Sequence, residues 1–138
     1  MTGVMVATTS KTLPLVSVLV PSFNGAQFLR EALDSILAQT YPNIEVILLD
    51  DASTDETPAI AVEYGHKINY VRQVQNLGIY DNVNVGIKRA RGSFIATYHA
   101  DDIYLPTIVE MQVAYLKAHP EVGAVFCSDI FVDAHGRE

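Results

Sequence analysis

The chain has 138 residues, 49% of them hydrophobic and 18% charged, with a formal net charge of −7 and a single cysteine. That length suits one domain, the acidic balance excludes a basic nucleic-acid groove, and one cysteine excludes an internal disulfide or a cysteine-rich zinc site. No apolar run approaches the roughly 20 residues of a membrane span, so the expected location is the cytoplasm, with a membrane-peripheral position left open for a longer protein.

Residues 1–14 lack a basic segment leading into an apolar core and read as a flexible tail before a domain spanning 15–138. LVSVLV (15–20) is a short β-branched run of the kind found in parallel strands covered on both faces. Pro21 and Gly25 break it, Asn24 is a candidate helix cap, and Phe28, Leu29, Ala32, Leu33, Ile36 and Leu37 recur at helical spacing. After a Tyr41-Pro42-Asn43 turn, IEVILL (44–49) is a second buried strand that stops at Asp50 and Asp51. The next helix starts either from a Ser53/Glu56 capping box or from Thr57 ahead of Pro58, and runs to about Gly65. A third strand covers 68–71, a polar loop ends in Asn76-Leu77-Gly78, and a helix follows until Gly92, with Lys88 and Arg89 on a solvated face. The fourth strand, 93–98, leads into His99, Ala100, Asp101 and Asp102, and a helix covers 106–119. A fifth strand is expected over 122–126, running on toward Val132, with a hairpin turn at 133–138. A hairpin turn without its return strand leaves an unpaired edge, which suggests the N-terminal part of a longer domain and gives self-association a route.

Alternating strands and helices imply an α/β fold, a Rossmann-like, mostly parallel sheet with helices on both faces, whose right-handed crossovers put every strand's C-terminus on one rim. Ligands of such sheets bind outside that rim. There the sequence places PSFN, Asp50 with Asp51, the 76–78 loop, and the acids after His99. Asp101 and Asp102 repel each other unless a positive charge sits between them, and a hard divalent cation bridging carboxylates to nucleotide phosphates supplies one. The alternative is that they open the following helix, where acids favour the positive dipole end. Neither GxGxxG nor GxxxxGK[ST] occurs, so phosphates must be held by something other than a glycine-rich cradle. A cation on Asp101 leaves Asp50 or Asp51 free to accept a hydrogen bond from a base N–H such as the uracil imide.

The run VSVLVPSFNGAQFLREALDSILAQTYPNIEVILLDDASTDET, then NLG, then ADDIYLP resembles the inverting GT-A glycosyltransferases of family 2, from about Val16 onward. The resemblance implies a GT-A domain that binds a nucleotide-diphospho-sugar, most simply a UDP-sugar, for transfer to an unidentified carbohydrate, lipid or protein acceptor. Pro21, Ser22 and Phe23 would border base and ribose, and Asp51 would contact the uracil while Asp50 shapes the loop. Asn76, Gly78, His99 and Ala100 would complete the nucleotide contacts. Asp101 with Asp102 would hold Mn²⁺ or Mg²⁺ against the diphosphate.

The sequence departs from the family pattern in three places. His99 stands where the family often begins its DXD motif with Asp, and Val83 stands where it often has an arginine, so that Lys88 or Arg89 would have to replace that cation. The carboxylate that deprotonates the acceptor is expected beyond Glu138, which makes the domain a truncated one lacking its acceptor part. A reading of another class, a non-catalytic nucleotide-binding or interaction module on the same fold, accommodates these departures.

Overall fold

The computed structural model describes residues 12–133. In chain order it contains β1 (Val16–Ser22), α1 (Ala26–Leu37), β2 (Ile44–Asp50), α2 (Thr57–Tyr64), a 3-10 turn (Gly65–Lys67), β3 (Asn69–Arg72), α3 (Ile79–Arg89), β4 (Phe94–Thr97) and α4 (Ile108–Ala118). The four strands form one parallel sheet in the order β3-β2-β1-β4. Most of the expected tail, and all but the first residue of the expected hairpin turn, lie outside the described residues.

Alternation along the strands sorts the core into two layers. Val18, Val20, Val46 and Leu48 face α1, α2 and α4, where they meet Leu29, Leu33, Ile36, Ile60, Ala61, Val109 and Val113. The intervening residues Leu19, Ile47 and Leu49 face the opposite way and pack with Val71 against Val83 and Val85 of α3. Helices therefore cover both faces, as the near-continuous apolar strands require. The buried positions of α1, Leu29, Ala32, Leu33 and Ile36, follow the i, i+3, i+4, i+7 spacing of a single helical stripe.

Register aligns the far ends of three strands. Ser22 lies opposite Asp50, and Asp50 lies opposite Arg72, so the polar residues that end β1, β2 and β3 form one row along the C-terminal rim. Tyr98 continues from β4 beside them through a hydrogen bond from its N–H to the Leu19 carbonyl, 2.9 Å. The entry to β4 is tight. Gly92 donates to Ser17 Oγ at 2.8 Å, and a Cβ at this glycine would lie 2.6 Å from the Ser17 nitrogen and 2.7 Å from the Phe94 oxygen.

Two expectations are corrected. The proposed helix caps do not cap: α1 starts from Gly25 and α2 from Glu56, neither with a side-chain cap, because Asn24, Ser53 and Thr57 bond to one another's loops instead. The fifth strand is not formed. Residues 122–133 carry no strand, and Phe126 and Phe131 are 94% and 90% exposed. A strand is made by pairing, and no described strand lies alongside this segment, so apolar alternation alone does not create one.

Replacing Gly92 with Ala drives a methyl group into strand backbone rather than into a yielding side chain. Urea unfolding should show a loss of about 1–3 kcal/mol. Gly123→Ala, where no atom lies within 4 Å of the added carbon, should change stability far less, and equal effects would contradict the close approach at Gly92.

Candidate functional site

Two loops that follow β1 and β2 are stitched together at the rim. Asn24 donates its backbone N–H to Ser53 Oγ (2.9 Å), Gly25 to Thr57 Oγ1 (3.2 Å) and Ala26 to Asp55 Oδ2 (3.0 Å), while Asn24 Oδ1 accepts from the Thr54 N–H (2.8 Å). The polar string after Asp51 thus satisfies the free N–H groups at the start of α1, groups that every helix leaves without internal partners. Asn24 and Ala52 take the left-handed backbone conformation, with φ of 51° and 62°. Asn tolerates it; for Ala it is a strained arrangement of the kind concentrated at binding sites.

The reversal at Ala52 separates the two neighbouring acids. Asp50 is fully buried, accepting from the Ser53 N–H at 2.8 Å and the Tyr70 hydroxyl at 2.6 Å, with the Arg72 guanidinium 3.8 Å away. Burial, followed by the bond to Asp50, pushes the Tyr70 hydroxyl up to about 12, so it stays a donor. Asp50 shapes the loop and cannot reach a ligand. Asp51 points the other way and binds the 76–78 loop, accepting from Leu77 N–H at 2.8 Å with one oxygen and from Gly78 N–H at 2.9 Å with the other. Each oxygen keeps a lone pair for one further donor.

Pro21, Ser22, Phe23, Asp51, Asn76 and Gly78 come together with Ile79 and Asn82 around a pocket of about 330 Å³. Ser22 is 5% exposed and its Oγ is the one buried side-chain polar atom without a hydrogen-bond partner among the described residues. Buried hydroxyls are normally satisfied, which makes this one an exception. Gly25 packs closely beside it: a Cβ there would lie 2.6 Å from Ser22 Oγ, so that this hydroxyl would have to turn aside. Asn82, unforeseen from sequence, forms part of the pocket wall by donating to the Leu49 carbonyl at 2.8 Å and accepting from Gln73 at 3.0 Å.

None of His99, Ala100, Asp101 and Asp102 lines this pocket: His99, Asp101 and Asp102 are exposed on the loop after β4, and Ala100 is buried in the hydrophobic core. The loop is organised by Tyr104, whose ring stacks on Tyr98 with centroids 3.9 Å apart. Tyr104 Oη accepts the His99 N–H at 2.6 Å and lies 3.4 Å from Asp102 Oδ2, and its own N–H donates to Ser35 Oγ at 3.1 Å. Burial pushes the Tyr98 hydroxyl up to about 12, and burial likewise raises that of Tyr104. The two tyrosines flank HADDI symmetrically in sequence, which is the signal that could have revealed the pair.

No group of three or more His, Cys, Asp or Glu side chains that could hold a metal ion exists among the described residues. A complete protein cage is therefore not formed. The two exposed carboxylates of the loop after β4 would suit only the smaller donor set of a cation that takes its other ligands from phosphates and water. Lys88 and Arg89 cannot supply the missing cationic contact: they end α3, which begins at the rim beside Gly78 and carries its last turn to the opposite end of the sheet. The cation at this rim is Arg72, which donates to the Ser53 carbonyl at 2.7 Å.

The family model for Glycosyl transferase family 2 matches residues 17–136. An uncharacterized glycosyltransferase of Rickettsia prowazekii is 43% identical over 87% of this chain, and one from Haemophilus influenzae is 36% identical over 81%. The chain spans only 38% and 36% of those relatives. Among solved structures, Staphylococcus aureus TarS in complex with UDP aligns at a TM-score of 0.72 and 30% identity, over 77% of this chain and 33% of TarS. The Pyrobaculum calidifontis mannosyltransferase PcManGT, in complex with GDP-Man and Mn²⁺, aligns at 0.78 and 32% identity, over 85% of this chain and 36% of that one. The sheet and its helices thus form part of a GT-A fold, about a third of the length of those solved chains.

Asp55 ties this site to acid stability. Burial acts to raise its pKa, but hydrogen bonds from Thr57 and Ala26 together outweigh it and hold the carboxylate below its ordinary value. A carboxylate whose folded pKa lies below the unfolded value of about 3.9 adds stability present above that value and lost as pH falls through the folded one. Asp55→Asn should therefore lower stability at pH 7 and flatten its fall below about pH 4 in urea titrations at stepped pH; an unchanged slope would remove Asp55 from this linkage.

Proposed function

We propose, from the premise that this chain belongs to glycosyl transferase family 2, that its C-terminal strand rim binds a nucleotide-diphospho-sugar donor for sugar transfer. The observation that carries the reading is the pocket at the ends of β1 and β2 beside the 76–78 loop, lined both by Ser22, whose buried hydroxyl is unsatisfied, and by Asp51, a carboxylate with spare acceptor capacity. A nucleoside offers the matching groups: sugar hydroxyls for Ser22 and an imide N–H for Asp51. The pocket's modest volume suits a pyrimidine ring with Phe23 at its mouth, and UDP is our choice of nucleotide. TarS bound to UDP supports this choice, while PcManGT bound to GDP-Man is the competing precedent.

In this reading Asp51 orients the base while its two backbone bonds keep the 76–78 loop closed over it. Asp50, Tyr70 and Arg72 hold the backbone on which Asp51 rides. Asp101 and Asp102 would hold Mn²⁺ or Mg²⁺, which when bound stabilises the negative charge that develops on the leaving diphosphate. Tyr104 fixes the backbone of His99 and steadies Asp102, so that the acids are presented from a packed loop rather than a loose one. Inversion at the sugar, with a carboxylate that deprotonates the acceptor, completes the proposal.

Calorimetric titration of UDP, GDP and dTDP, with Mn²⁺ and then with chelator, tests it. Binding should need the metal and favour UDP, and Asp101→Ala should weaken it at least tenfold, about 1.4 kcal/mol. Equal affinity with and without Mn²⁺ would sink the metal assignment, and no binding of any nucleotide would sink the donor site. Slow metal-dependent hydrolysis of a UDP-sugar would speak for catalysis, and binding without turnover for the module.

A further inference from the structure

A second concave surface lies at the end of the sheet opposite the donor rim. Parallel strands all begin there, and α3 runs back to it, so the starts of β2 and β3 and the last turn of α3 enclose a cleft of about 650 Å³. Its floor is apolar, with Ile44, Val46 and Ile68, and its polar lining includes Lys67, Arg89, Arg91 and one acid, Glu45.

Part of this charge has an internal explanation. Basic residues in the last turn favour the negative end of the α3 dipole, which accounts for Lys88 and for the position of Arg89. Arg91 grips Glu45, donating from Nε at 2.9 Å and from its backbone N–H at 2.8 Å, with Nη2 at 2.7 Å, and Ser17 Oγ adds a fourth bond to that carboxylate at 2.6 Å. Glu45 is thereby used up, and the second amino group of Arg91 has no partner among the described residues. Lys67 is not explained by α3. It comes from the 3-10 turn on the other wall, and neither it nor Arg89 forms a hydrogen bond or ion pair with any described residue.

Three permanent cations thus line one cleft whose single carboxylate, Glu45, is already engaged by Arg91 and Ser17, in a chain of net charge −7. Like charges held in a recess repel, and a bound anion offsets that repulsion. Guanidinium forks beside an ammonium are the groups that recognise phosphate. We propose that this cleft is a second ligand site, remote from the donor pocket, which takes a phosphate-bearing ligand. It does not depend on the donor reading, because it shares no residue with that pocket. The phosphate belongs either to a soluble molecule or to a lipid headgroup, and the latter would seat the basic end on an anionic surface with the donor rim facing away.

The test uses tripolyphosphate titrated into the chain in chelator at low salt, followed by amide chemical shifts. Residues 66–69 and 89–91 should move, and the double variant Lys67→Gln/Arg89→Gln should bind at least tenfold more weakly while its urea midpoint stays put. In a second arm, sedimentation with phosphatidylglycerol but not phosphatidylcholine vesicles, lost in the variant, would assign the phosphate to a headgroup. Tripolyphosphate binding without sedimentation would assign it to a soluble ligand. If those amides do not move and no vesicle binding depends on Lys67 and Arg89, the proposal is overturned.

Discussion

The start of α1 has no cap of its own, and the organisation of the donor rim follows from that. Helices leave their first N–H groups without internal partners, and here those of Gly25 and Ala26 are met by Thr57 and Asp55, residues 32 and 29 positions away. Burying α1 against the sheet therefore requires the second loop to fold onto the first. Once it does, Ser22 and Asp51 are forced to share a space, because one ends β1 and the other follows β2 in the register that pairs Ser22 with Asp50. The pocket is a by-product of helix capping carried out across the sheet rather than along the chain.

The same logic divides labour between adjacent acids. Two carboxylates in sequence at the end of a buried strand would repel if they pointed together. The left-handed residue Ala52 turns the chain so that Asp50 goes inward to Tyr70 and Ser53, while Asp51 goes across to the amides of Leu77 and Gly78. One acid stiffens its own loop and the other holds a neighbour's. Both structural tasks are done with hydrogen bonds to the charged form, and only Asp51 retains access to the pocket.

The parallel sheet and the helices were legible because burial on both faces leaves a mark in every residue of β1 and β2, and helical stripes repeat over several turns. The caps were not. Ser53, Glu56 and Thr57 stand in a pattern that normally serves the helix immediately following, and sequence cannot show that the entry to α1 takes the oxygens of Ser53 and Thr57 instead. The fifth strand failed for a related reason: alternation reports what a segment could bury, while a strand also needs a partner to bond with. That Pro21, Ser22, Phe23, Asp51, Asn76 and Gly78 gather at one rim was legible because they end strands or lie in the loops that follow them. Arg72 and Asn82 were not, for each acts through a contact with a distant segment and has no motif of its own.

The stacked pair of Tyr98 and Tyr104 has a practical side. The chain contains no tryptophan and seven tyrosines, so its near-ultraviolet spectrum is a tyrosine spectrum. Two parallel rings 3.9 Å apart couple their electronic transitions, and they bracket the very loop that carries Asp101 and Asp102. The protein thus contains a built-in chromophore whose circular dichroism reports how that loop is arranged, without a label and without a background from indole.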